Sequence, residues 1–121
     1  MFGLKYIHFT IIYIIFISVI SHMPNNSNNL PESSYSFSNQ DKIFHFAEFF
    51  ILGVLMQLSF IERKIFSRNQ TIFMTLICGC SIACIDELHQ SFIDGRHSSI
   101  GDLFFDFLGI VLSVISYRNF Y

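Results

Sequence analysis

The stretch "DELHQSFIDGRHSSIGDLFFDFLG", residues 86–109, lies in a 121-residue chain in which 52% of residues are hydrophobic and only 13% are charged. The mean hydropathy of +0.51 is typical of a membrane protein and exceeds that of ordinary soluble domains. A net charge of −2, without a basic run, argues against a nucleic-acid partner. Because charges are rare near apolar spans, this stretch marks a candidate functional site.

Four apolar blocks predict an all-α integral membrane protein with four transmembrane helices, forming a single domain over residues 1–121. The expected helices cover roughly residues 4–20, 43–61, 71–90 and 98–117. About 20 helical residues cross the hydrocarbon core, so the last two helices must take turns from the polar stretch. Between the first two blocks, a segment rich in Asn and Ser with Pro24 and Pro31 predicts a connecting loop. Polar side chains of residues 86–109 are therefore expected at membrane depth.

The first apolar block has two interpretations, a retained anchor and a cleaved secretory signal. Lys5 precedes the block, as in a signal sequence. The apolar run is long, however, and "SVISHMPNN", residues 18–26, lacks the small-residue pattern of a cleavage site. We expect a retained anchor, and the remaining helices keep the same orientation in either case.

The distribution of Lys and Arg predicts the orientation, because cytoplasmic loops are enriched in these residues. Basic residues on one side of the four predicted helices are Lys5, Arg63, Lys64, Arg68 and Arg118. The opposite side receives only Lys42 and Arg96, together with all the acidic residues except Glu62. We therefore expect a multi-pass protein of the cell membrane, with both termini in the cytoplasm and residues 86–109 towards the exterior or periplasm.

Polar residues recur at helical spacing in each of the last three predicted helices. The three sets are Asp41, His45 and Glu48 in "DKIFHFAEFFILG" (residues 41–53), Asp86, Glu87 and Gln90 in the third helix, and Asp102, Asp106 and Gly109 in the fourth. An ionisable side chain costs about 2.5 to 3.5 kcal/mol at the centre of a membrane helix, so such stripes normally turn inward. The spacing predicts one polar pocket shared by three helices.

The pocket residues suggest two kinds of role. Candidate catalytic residues are His45, Glu48, Asp86 and Glu87, with Glu48 or Glu87 as general base and His45 as acid or base. Candidate ligand-binding residues are Asp41, Lys42, Gln90, Arg96, Asp102 and Asp106, with Lys42 and Arg96 holding an anionic group such as a phosphate. The alternative is a hydrogen-bonded ion-pair network that only fixes helix packing.

The loop around Arg96 carries a specific expectation. Gly95 and Gly101 permit tight backbone bends between the last two helices, so the loop can fold back over the pocket. Without a ligand, Arg96 is then expected within salt-bridge distance of Asp86, Glu87 or Asp102, through its bidentate guanidinium group.

Neither a metal nor another cofactor is predicted. His45 and Glu48 at i, i+3 resemble paired metal ligands, but di-iron bundles use the reverse order, and D-E-x-x-Q is no zinc signature. Cys78, Cys80 and Cys84 in "ICGCSIACI", residues 77–85, are interpreted as small packing residues, and His89 and His97 as solvated loop residues. Gly79 with Ala83, and also Gly109, are expected to permit close helix approach.

The motifs "DKIFHFAEFFILG" and "DELHQSFIDGRHSSIGDLFFDFLG" together resemble the VanZ-like family, named after a teicoplanin-resistance protein. The family pattern is D-K-x-x-H, then D-E-x-x-Q-x-F-x-x-x-R, then D-x-x-x-N-x-x-G, and the match covers residues 41–115. Asp106 departs from it, because the pattern has Asn there. The resemblance implies a multi-helix membrane protein of the cell envelope, linked in its namesake to glycopeptide tolerance.

Composition, orientation and resemblance together predict a function. We expect a protein in the lipid bilayer whose outer-side pocket binds or modifies a lipid-linked, anionic or glycopeptide-related envelope ligand. The alternative is a non-catalytic membrane protein that acts through a partner.

Overall fold

The computed structural model describes residues 5–23, 35–96 and 98–119. These residues form α1 (Tyr6–His22), α2 (Tyr35–Arg63), α3 (Arg68–Gln90) and α4 (Ile100–Asn119), and they contain no strand. The predicted all-α fold with four helices is confirmed. The clearest difference is the start of α2, which lies at residue 35 instead of 43, so that the helix includes part of the predicted loop. The remainder of that loop, residues 24–34, lies outside the described residues.

Local signals set the connection between α2 and α3. Lys64 follows the last residue of α2 and has a positive φ of 52°, the left-handed conformation that ends many helices. Ser67 then caps α3: its hydroxyl accepts a hydrogen bond from the Gln70 backbone N–H, and the Gln70 side chain accepts one from the Ser67 N–H. So short a connection makes α2 and α3 antiparallel neighbours.

In α3, small and polar residues are buried and large apolar residues are exposed, which is the opposite of the arrangement in a helix of a soluble protein. Its buried residues are small or polar, namely Thr71, Thr75, Gly79, Ala83, Asp86, Glu87 and Gln90. Its exposed side carries large apolar residues, including Phe73, Ile77, Ile85 and Leu88. In water this arrangement would expose apolar surface at a large cost, whereas in a bilayer it places small residues at the helix contacts and apolar residues in lipid.

Within the described residues, three helical segments are long and apolar enough to cross a membrane, Asp41–Arg63, Arg68–Gln90 and Ile100–Asn119, each with a mean hydropathy of 1.7. The apolar helix α1 is shorter, with 17 residues. Three of the four described helices therefore have the length and composition of membrane spans, as expected for an integral membrane protein.

At Gly109, α4 packs closely against the backbone of α2. A methyl group on Gly109 would collide with the carbonyl oxygen of Phe46 and lie 2.8 Å from the Phe50 backbone nitrogen. On α3, a methyl group on Gly79 would lie 2.6 Å from the Ile110 side chain. The expected close approaches at Gly79 and Gly109 are thus confirmed, and they bring the polar stripes of the helices within reach of one another.

Polar pairs between helices also hold the bundle together. The hydroxyl groups of Thr10 in α1 and Ser59 in α2 are 2.7 Å apart, and both side chains are buried. Between α2 and α4, the Gln57 side-chain amide donates to the Ser113 hydroxyl at 3.4 Å. Such bonds contribute to helix association in lipid, where apolar packing has no hydrophobic driving force.

Candidate functional site

The centre of the candidate site is a contact between His45 of α2 and Asp106 of α4. His45 Nδ1 lies 2.8 Å from Asp106 Oδ1, and the Asp106 side chain is fully buried. The contact adjoins the place where Gly109 packs on the backbone of Phe46, so the small residue on α4 permits the short distance. Both residues lie on the stripes that the helical spacing identified.

Glu87 of α3 completes a group that we call the buried cluster, formed by His45, Glu87 and Asp106. Glu87 Oε1 lies 3.8 Å from His45 Nδ1, which is too long for a hydrogen bond. Within the described part of the chain, both carboxylate oxygens of Glu87 and Oδ2 of Asp106 are buried and have no hydrogen-bond partner. The cluster therefore joins three helices, and three of its carboxylate oxygens can still accept a hydrogen bond or bind a cation.

Asp86, next to Glu87, has a different environment. The Gln90 side-chain amide, one turn later on α3, donates to Asp86 Oδ2 at 3.0 Å and to the hydroxyl of Ser21 at 3.2 Å. Ser21 belongs to α1, so the first helix takes part in the site. The sequence interpretation missed this contribution; its only signal was a polar residue at the end of an apolar block.

The expectation for Arg96 is wrong. Its Nε donates to the backbone carbonyl of Met23 at 3.0 Å and its Nη2 to that of Ile20 at 3.0 Å. Across residues 5–23, 35–96 and 98–119, the guanidinium group forms no salt bridge with a carboxylate. The last carbonyl groups of a helix lack intrahelical partners and attract cations, so the C-terminal end of α1 competes for Arg96.

A cavity of about 500 Å³ lies beside the buried cluster, within the volume range of small-molecule sites. Its charged and amide-bearing lining residues are Asp41, His45, Glu48, Gln90 and Arg96. Most of the remaining wall is apolar or aromatic and comes from Tyr13, Phe16, Ile20, Phe44, Ala47 and Ile51. The cavity thus combines polar groups with a surface suited to an aliphatic chain.

Other predicted site residues lie outside the cavity lining. Asp102 is buried near the start of α4, and one ligand atom each from Asp41, His45 and Asp102 falls within 4.8 Å of the others. Lys42 lies close by, since a methyl group on Gly101 would be 3.6 Å from its Cε. Most of the predicted pocket residues are therefore divided among the cavity, the buried cluster and the group around Asp102, with His45 in all three.

The interpretation of His89 as a solvated loop residue is wrong. His89 belongs to α3 and stacks on His22 of α1, with ring centroids 5.2 Å apart. The physical reason is that α3 continues through the polar motif and packs beside the end of α1. His97 lies outside the described residues. The three cysteines are free thiols, half-buried at Cys78 and Cys80 and exposed at Cys84.

Arg96 gives a test of the contact between α1 and the α3–α4 loop. Hydrogen bonds from charged groups contribute about 1.5 to 3 kcal/mol. We expect Arg96→Ala to lower the free energy of unfolding in detergent by about 2 kcal/mol and Arg96→Lys by about 1 kcal/mol, since an ammonium group cannot reproduce the fork. The exposed Arg63 provides a matched control, because Arg63→Lys should have no effect. Equal stability of Arg96→Lys and the unaltered protein would contradict the contact.

Comparison with known proteins agrees with this geometry. No curated protein and no solved structure matches the chain significantly. The family model described as VanZ/LLP1 matches residues 2–121, which is essentially the whole chain and includes both polar motifs. On that match, the chain belongs to the VanZ/LLP1 family, as the resemblance of the motifs implied.

Proposed function

We propose that this VanZ-type protein of the cell envelope is a multi-pass protein of the cell membrane that binds a lipid-linked or glycopeptide-related envelope ligand in the cavity. The observation that carries the proposal is the lining of the cavity. Asp41, Glu48 and Gln90 supply hydrogen-bonding groups, while Phe16 and Phe44 supply apolar surface. An amphiphile with a polar head group and a long apolar chain matches both parts of this lining.

The charge of the lining favours a head group rich in hydrogen-bond donors. Carboxylates such as those of Asp41 and Glu48 accept hydrogen bonds from hydroxyl, amide and ammonium groups, which sugars and peptides carry. An anionic head group fits less well, because Lys42 is outside the lining and two donors of Arg96 are bound to α1 carbonyls. The ligand we propose is therefore a lipid-linked sugar or peptide precursor.

Two residues are suited to proton transfer with a bound ligand. His45 and Glu48 both line the cavity, and the described residues provide no side-chain hydrogen-bond partner for the Glu48 carboxylate. A carboxylate with free lone pairs beside a ligand hydroxyl is the arrangement of a general base. Ligand binding requires only hydrogen bonds to the cavity lining. Any chemical modification of the ligand would use His45 and Glu48.

Glu48→Gln tests ligand binding. The change keeps the side-chain shape but replaces an acceptor oxygen by an NH₂ donor, so bound head groups should be lost while the protein still inserts. The measurement is mass spectrometry of lipids that co-purify with the protein from host membranes. We expect the unaltered protein to carry at least about tenfold more lipid than Glu48→Gln, which corresponds to a loss of about 1.4 kcal/mol in binding free energy. Glu62→Gln, at the other end of α2, is the control and should retain the lipid. Equal lipid content in Glu48→Gln and the unaltered protein would contradict the proposal.

The second candidate is a non-catalytic membrane protein that acts through a partner protein. In this case the polar residues form only a structural network. The short contact from His45 to Asp106 and the bond from Gln90 to Ser21 support it, because they link α2 to α4 and α3 to α1 and need no bound ligand. On this alternative, neutralising a network residue lowers the amount of protein in the membrane. A normal amount of Glu48→Gln with lost lipid would favour ligand binding instead.

We further propose that the cavity faces the outer side of the membrane, with the loop between α2 and α3 in the cytoplasm. The basic residues Arg63, Lys64 and Arg68 at that loop support this orientation. In a chain whose native cysteines are replaced by Ser, an impermeant maleimide should label Phe92→Cys in intact cells. It should label Ile65→Cys only after permeabilisation, and both positions are well exposed. Labelling of Ile65→Cys in intact cells would reverse the orientation.

A further inference from the structure

Among the described residues, the buried acidic side chains outnumber the buried basic ones. Asp86, Glu87, Asp102 and Asp106 are between 0% and 7% exposed. Among the described residues, His45 is the only buried side chain that can carry a positive charge, and Arg96 is engaged by the carbonyl groups of α1. Buried charges without a partner are strongly unfavourable in proteins and in membranes. A bound cation would remove this cost.

The geometry of the buried cluster suits a metal ion. His45, Glu87 and Asp106 each offer one ligand atom, and these three atoms lie within 4.8 Å of one another. Metal–ligand distances of about 2.0 to 2.2 Å in a tetrahedral site place neighbouring donor atoms about 3.4 Å apart on average. The distances from His45 Nδ1, 2.8 Å to Asp106 and 3.8 Å to Glu87, lie on either side of that value.

An independent observation points to the same place. Glu87 is 7% exposed, and neither of its carboxylate oxygens has a hydrogen-bond partner among the described residues. Asp106 is fully buried, and its Oδ2 also lacks a partner there. Buried polar atoms are nearly always satisfied, so three such oxygens beside one imidazole indicate an unassigned ligand.

We propose that His45, Glu87 and Asp106 bind one divalent transition-metal ion of the Zn²⁺ or Mn²⁺ type. Imidazole nitrogen with carboxylate oxygen is a donor set that these ions accept, whereas Mg²⁺ and Ca²⁺ prefer oxygen ligands alone and in larger number. Two negative charges are balanced by one dipositive ion while His45 stays neutral. Three protein ligands leave a coordination position for water or for a group of a bound molecule.

The sequence alone predicts no metal, because the three ligands are on three different helices. His45 and Glu48 are the pair that sequence spacing suggests, yet Glu48 lines the cavity and is not part of the cluster. The proposed site does not depend on the ligand proposed for the cavity. Metal binding can therefore be measured whether or not a lipid is bound.

The test is metal binding by the full chain in detergent after treatment with a chelator. We expect one Zn²⁺ or Mn²⁺ per chain by competition titration, with much weaker binding of Mg²⁺. Loss of outer-shell contacts weakens metal sites about 10 to 100-fold, so loss of a direct ligand in Glu87→Gln or Asp106→Asn should weaken binding by at least about 100-fold. Asp86→Asn is the matched comparison and should weaken binding far less than Glu87→Gln does, since Asp86 is equally buried but is bonded to Gln90 and supplies no ligand atom.

A second measurement uses only the unaltered chain and so does not depend on the folding of any variant. X-ray absorption of the chain loaded with Zn²⁺ should show nitrogen and oxygen ligands with an imidazole contribution and no sulfur. Sulfur ligation, binding no tighter than that of Mg²⁺, or equal losses in Asp86→Asn and Glu87→Gln would each overturn the proposal. Loss of binding in Asp102→Asn with retention in Glu87→Gln would also overturn it, because it would move the ion to the group of Asp41, His45 and Asp102.

Discussion

The contact between His45 and Asp106 is the constraint on which the rest of the structure depends. It joins α2 and α4 at 2.8 Å with both side chains buried, and it requires the close approach that Gly109 permits. A bilayer offers no water to a charged group left unpaired, so these two residues must find each other or another partner. Once α2 and α4 are so placed, the acidic end of α3 has its position beside them. The positions of α2, α3 and α4 are thus set by the need to pair buried polar groups as well as by side-chain packing.

The arrangement separates two tasks along α2. His45 faces Asp106 and Glu87 in the buried cluster, while Glu48, almost one turn later, lines the cavity. The cluster is enclosed by α2, α3 and α4, whereas the cavity has part of its wall from α1. Arg96 secures that wall by binding the last carbonyl groups of α1, so the loop between α3 and α4 supports the cavity through backbone contacts. Polar residues that look equivalent in sequence therefore have unequal environments.

Much of this structure could be predicted from the sequence because helical spacing is a local property. The stripes of Asp41, His45 and Glu48, and of Asp102 and Asp106, follow directly from a period of 3.6 residues. The association of Gly109 with a close helix contact follows from residue size. The contacts of α1 could not be predicted in this way. Its apolar sequence does not indicate which residues Ser21 and the terminal carbonyl groups will contact. The Arg96 expectation failed for this reason: it counted nearby acidic side chains and left out backbone acceptors. The grouping of Glu87 with His45 and Asp106 could not be predicted from the sequence either, because it depends on distances between different helices.

The most direct test of the central contact is a double-mutant cycle on His45 and Asp106, measured as the free energy of unfolding in detergent with a chelator present. His45→Leu and Asp106→Leu are each expected to destabilise the protein, because each leaves its former partner buried and unpaired. The double variant should be more stable than the sum of the two losses implies, with a coupling energy above about 1 kcal/mol. Losses that add within about 0.5 kcal/mol would show that the two residues do not interact, and would contradict the account.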